Sequence, residues 1–176
     1  MGTFKFYLLL VVCSFTVQIL SSQAVGFMGG LGPTIESEEF LVGGNARIYY
    51  GTSPHFCFGP EVSIFPFQSP ADQFEQRIVE LNFNAHYLFE LAHRFEFYPL
   101  SGINYTREEG RSTLDMEDSE VDKALGINFG VGVHYMLIDN LFVFAEYKEV
   151  IGELNDGFFT LGAVFMLTRP KHQSHD

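Results

Sequence analysis

The sequence has no tryptophan, and of its two cysteines one, Cys13, falls in a hydrophobic leader. Cys57 is left alone, so no internal disulfide can staple the mature chain, unlike most small secreted domains. Basic residues are scarce. Ten Lys and Arg stand against 22 Asp and Glu, a net charge of −12, which argues against a nucleic-acid partner. No apolar run reaches the roughly 20 residues that a membrane-spanning helix needs. The longest, Phe6 through Val12 to Leu20, follows Lys5 and gives way to Ser21, Ser22 and Ala24. That order of charge, apolar stretch and small residues is a secretory signal peptide over residues 1–23, with cleavage expected near 22–24. A lipoprotein signal at Cys13 is discounted, because Val12 stands where a small residue is needed.

What the chain does have is aromatic and small residues: 20 Phe, 8 Tyr and 17 Gly in 176 residues, with few helix signals. This composition points to one all-β domain. The clearest strand is Leu125–Leu137, LGINFGVGVHYML. Its odd-numbered residues, from Leu125 through Phe129 and Tyr135 to Leu137, are all large and apolar; Gly126, Asn128, Gly130, Gly132 and His134 lie between them. Successive strand side chains point to opposite faces, so one face is wholly greasy. At about 3.3 Å per residue and a tilt near 40°, such a strand crosses about 30 Å, the thickness of bilayer hydrocarbon.

Seven further segments alternate in the same way: 25–33, 40–50, 55–67, 78–89, 94–106, 141–148 and 158–167. The links between them also alternate. Turns at 51–54, 90–93 and 138–140 are short; the loops 34–39, 68–76, 107–123 and 149–157 are mostly longer and hold fifteen of the 22 acidic residues. Short turns at one end and long loops at the other are the pattern of an outer-membrane barrel. In each strand the greasy face carries no charge or histidine, and the other holds Arg47, Glu61, Glu80, His86, Arg94, Glu96, Asn128, His134, Glu146 and Lys148. A soluble lipocalin-like barrel would put the charges outside. An arginine or lysine facing mid-membrane lipid would cost about 2–4 kcal/mol. The greasy face is therefore expected to meet lipid, and the polar set to fill the lumen. Pro60, Pro66 and Pro99 each remove a ladder donor, so bulges or strand ends are expected there, at Pro99 above all.

The last strand, Thr160-Leu161-Gly162-Ala163-Val164-Phe165-Met166-Leu167, resembles the insertion signal that closes bacterial outer-membrane barrels: a polar residue, glycine two later, then alternating hydrophobics. With LNFNAHYLF, FEFYPLSGINY and INFGVGVHYMLIDNLFVFAEYK, the chain resembles the small eight-stranded OmpA/OmpX-type outer-membrane β-barrel family. That resemblance implies an all-β, antiparallel, up-and-down transmembrane barrel over 24–167, handled by the barrel-assembly machinery and sitting in outer-membrane lipid. Thr160, Gly162, Phe165 and Leu167 would be its closing signal. The sequence departs from the family in ending the signal on Leu167 and adding a tail, 168–176, expected in the periplasm.

An eight-stranded lumen is just wide enough to be filled by side chains. Arg47, Arg94 and Lys148 against Glu61, Glu80, Glu96 and Glu146 nearly cancel, as buried charges must. Gly126, Gly130 and Gly132 are expected to make room for long side chains arriving from across the lumen. No nucleophile motif frames a serine, and the cluster Asp115, Glu117, Asp118, Glu120 and Asp122 lacks the spacing and glycine of a calcium loop, so it reads as a solvated surface loop. No cofactor or metal is implied. The reading is a non-enzymatic structural or surface-interaction barrel with acidic extracellular loops. A narrow pore is the alternative, followed by a lipid-modifying enzyme using His86 and His134 or a soluble lipocalin-like binder.

Overall fold

The computed structural model describes residues 26–71, 74–112 and 119–167; the signal peptide and the tail lie outside the described residues. Among the described residues nine strands form: β1 (Gly26–Glu36), β2 (Val42–Ser53), β3 (Phe56–Ala71), β4 (Phe74–Tyr87), β5 (Phe89–Ala92), β6 (Phe95–Ser112), β7 (Ser119–Ile138), β8 (Leu141–Gly152) and β9 (Asp156–Met166). Apart from β4 and β5, each pairs antiparallel with its sequence neighbour, β4 also pairs with β6, and β9 pairs back onto β1. β4 and β5 are one stave interrupted at Leu88, since both pair with β6. The molecule is thus a closed eight-stranded antiparallel barrel. Following hydrogen-bonded neighbours from Gly157 through Glu149, Phe129, Ser101, Ala85, Phe58, Tyr50 and Phe27 returns to β9 at Leu167, ten residues further on. A stagger of ten over eight strands tilts them by about 40°.

The alternation places side chains as the sequence implies. Leu31, Ile48, Ile64, Leu81, Ile103, Leu125, Val131 and Leu161 stand exposed on the outer wall, while Asn45, Arg47, Glu61, Glu80, Asn82, Asn128, Glu146 and Lys148 are buried within. One charge breaks the greasy face: β8 runs past Lys148, and Glu149 points outward between Phe129 and Gly157. Gly157 opens the last strand at the end opposite the short turns, so Glu149 stands one strand in from that rim, where a charge costs little.

The prolines interrupt pairing in a different way from the expected bulges. Pro99 lies in register with Val131 on β7, and on its other side the gap between the pairs His86–Leu100 and Phe89–Phe97 involves no slip. Pro60 likewise falls in a gap between Arg47–Glu61 and Tyr50–Phe58. A missing N–H deletes a rung without adding a residue, so the face assignment carries through. Only Pro66 falls in a true shift, between Phe65 and Gln68.

The expected long loops prove to be largely strand. Arg107 to Arg111 pair in register with Ser119 to Lys123, and β3 and β4 continue to Ala71 and from Phe74. The short turns hold at the other end, although residues 90–92 belong to β5 and only His93 and Arg94 turn.

Candidate functional site

The lumen is built in three layers. At the short-turn end Tyr49, Cys57, Leu88, Tyr98 and Leu100 form an apolar plug, with Met28 packed against it. Against its Tyr98 ring His86 stacks at 4.7 Å between ring centres, and His134 lies against the same ring at 4.5 Å. The middle layer carries the charges. Arg47 donates two hydrogen bonds to Glu146, at 2.8 and 3.1 Å, and stands 3.2 Å from Glu61. Lys148 lies 3.2 Å from Glu61 and 3.4 Å from Glu80. The tyrosine hydroxyls of the lower layer reach up: Tyr49 donates to Glu61 and Tyr98 to Glu146. Beside them Asn128 donates to Asn82 and Asn84, and Asn104 to Glu80 and Asn82. At the opposite end Leu41, Phe65, Ile78, Val150 and Phe158 form a second apolar plug.

Of the residues the sequence nominates, Arg47, Glu61, Glu80, Asn128, Glu146 and Lys148 meet in this network, and His86 packs beside it against the Tyr49 and Tyr98 rings. Glu96 and His134 pair with each other at 3.4 Å nearer the mouth at the short-turn end. Arg94 is not brought in: it stands exposed in the turn after β5, because a residue at a strand end need not follow the strand's faces. The shared layer therefore holds two basic groups against three carboxylates. The glycines also act differently from expectation. The space a Cβ would take at Gly132 is filled by the Tyr98 ring, and at Gly126 by Val150, so the neighbours come from adjacent strands rather than from across the lumen.

The two plugs escaped sequence reasoning. Their signal is apolar residues on the otherwise polar face: Phe65 after Ser63, Ile78 before Glu80, and Tyr98 and Leu100 flanking a proline. In β9, Thr160 is buried and donates to Thr34 across the β1 seam, Gly162 lies against Phe144, and Phe165 and Leu167 face outward. Of the acidic cluster, Glu120 and Asp122 lie on β7, whereas Asp115, Glu117 and Asp118 fall outside the described residues.

Four strands outrun the others at the end opposite the short turns. β8 begins its pairing with β7 only at Gly126, and β2 with β3 at Ile64, so the ends of β3, β4, β6 and β7 project as a separate sheet. On it the Arg111 guanidinium lies 3.9 Å from the Phe67 ring centre and donates to Glu75 at 2.7 Å, and Gln76 donates to Glu108. A short turn before β2 carries Phe40, whose φ of 57° is left-handed; Glu36 holds that turn by accepting hydrogen bonds from the amides of Glu38 and Glu39. Burial, with Glu36 and Glu38 as neighbours, holds the Glu39 carboxyl above its usual range.

Residues 8–166 match the model of the outer membrane protein beta-barrel domain. Among solved structures the chain is similar to Ail, the attachment invasion locus protein of Yersinia pestis, at 16% identity and a TM-score of 0.58, over 79% of this chain and 95% of that one. It is similar to the N-terminal β-barrel domain of Pseudomonas aeruginosa OprF at 15% identity and a TM-score of 0.62, covering 81% and 98%. Neisserial surface protein A gives 16% identity, a TM-score of 0.62, and coverage of 82% and 99%. No curated protein matches by sequence. A closed eight-stranded barrel with an apolar outer wall and a family match over most of its length leaves one conclusion: the chain belongs to the outer membrane protein β-barrel domain family.

Proposed function

We propose that this outer-membrane barrel is a closed scaffold that displays its projecting sheet to an extracellular partner. The signal peptide would direct its export, and β9 would present the closing signal to the assembly machinery. The observation that carries the reading is the filled lumen: a charged layer tied by Arg47 and Lys148 lies between two apolar plugs. Ions crossing it would have to break buried salt bridges and pass two dry layers. The enzyme reading is disfavoured by the surroundings of its histidines, since His86 and His134 stack on Tyr98 inside the barrel and face away from lipid.

Two measurements test this. Purified protein in planar bilayers is expected to show no stable single-channel events; regular channel steps would favour the pore and overturn the scaffold. Replacing residues 109–121 with a two-residue turn is expected to leave a folded barrel while abolishing adhesion of expressing cells to host-cell or matrix surfaces. Adhesion undiminished by the shortened hairpin would remove the display role.

A further inference from the structure

We propose that the outer wall where β4, β6 and β7 leave the apolar belt binds a phosphate-bearing lipid of the outer leaflet. Arg107 and Lys123 take the phosphate, and the groove beneath them takes an acyl chain. The proposal goes beyond the display role and does not depend on it.

Three observations converge. The first is where the scarce cations lie. Of ten basic residues in the whole sequence, Arg77, Arg107, Arg111 and Lys123 all sit on the projecting ends of adjacent strands. The outward residues of β7, read from the periplasm, are apolar from Leu137 to Leu125 and then switch to Lys123; on β6 Tyr105 gives way to Arg107, and on β4 Val79 to Arg77. Val79, Arg107 and Lys123 share one hydrogen-bonded row. The switch therefore falls within two residues of one hydrogen-bonded row on three adjacent strands, just above the residues that meet hydrocarbon, where the phosphates of a leaflet lie.

The second is an unresolved repulsion. Arg107 and Lys123 are directly opposed across the β6–β7 ladder, and like charges so placed destabilise a sheet. Among the described residues no carboxylate comes within ion-pair distance of Lys123 or Arg77, and Arg107 reaches only Glu109, at 3.4 Å. Arg111 is already engaged by Glu75 and Phe67. A phosphate between Arg107 and Lys123 removes the repulsion, and guanidinium and ammonium are its natural donors.

The third is shape. A surface groove beside Lys123 is lined by Tyr105, Leu125 and Glu153. It continues downward, sharing Tyr105 and Leu125, into a second groove lined by Leu81, Phe83 and Ile103 on the lipid-facing wall. A cationic head above a greasy channel complements an anionic lipid at both ends, and the membrane supplies that lipid at high local concentration.

The test is native mass spectrometry of the folded full barrel in micelles containing equal amounts of phosphatidic acid and phosphatidylcholine. The native protein is expected to retain phosphatidic acid preferentially. Arg107→Gln with Lys123→Gln is expected to lower that preference about thirtyfold, and Arg94→Gln, in the opposite turn, to leave it unchanged. Inorganic phosphate at about 10 mM is expected not to displace the lipid, because the acyl groove contributes to holding it. Unchanged retention in the double variant overturns the proposal, as does an equal loss with Arg94→Gln. Complete displacement by inorganic phosphate overturns the lipid assignment in favour of a free-anion site. All three positions are exposed, and a gel-mobility shift on heating confirms that each variant is folded.

Discussion

Arg47 is the residue on which the interior turns, because among the described residues it alone makes ion pairs with both Glu146 and Glu61. Replacing it with Met leaves carboxylates buried with only Lys148 to answer them, and the barrel should lose about 3–5 kcal/mol in urea unfolding from lipid vesicles. Adding Glu146→Leu should restore part of that loss, a non-additivity that identifies the pair rather than the bulk of either side chain. A second sensitive position is Gly32, where a Cβ would lie 1.9 Å from the Leu161 carbonyl oxygen across the β1–β9 seam. Backbone cannot yield as a side-chain end can, so Gly32→Ala should abolish the folded, heat-modifiable band on gels. At this scale parity made Arg47, Glu61, Glu146 and Lys148 legible as a lumen set. It could not show which carboxylate each cation meets, since partners come from strands up to 99 residues apart.

Each element's face was readable while lipid lay on one side and the lumen on the other. Beyond the membrane both faces meet water, and the hydrophobic rule lapses. Arg107-Glu108-Glu109-Gly110-Arg111 therefore reads as loop by composition, although it continues β6 in unbroken register. Acidic content is a sign of solvent there, not of irregular backbone. The turn before β2 offers a test of its charges. The Glu39 carboxyl is raised in the folded protein, chiefly by burial, so its ionisation works against the turn. The favourable contribution is present at low pH and is lost as pH rises through the raised value. Amide exchange over 38–41, corrected for intrinsic rate, should be slower near pH 4.5 than near pH 7, and Glu39→Gln should erase the difference.

For the molecule as a whole, the strand count and the inside-out polarity followed from alternation and from the rhythm of short and long links. Closure and stagger did not, because they depend on which residues of distant strands face one another. The interior plugs were hidden for a related reason: Phe65, Ile78 and Phe158 look like lapses in a polar face until the barrel brings them to one level. The seam between first and last strands sets the timing of assembly. Met28 pairs with Met166, so the first strand has no β9 partner until nearly all of the described chain has been made. A barrel closed this way cannot be completed strand by strand as it is synthesised. Its first edge must be kept from pairing elsewhere throughout export, and the last strand to arrive decides when the molecule becomes a membrane protein.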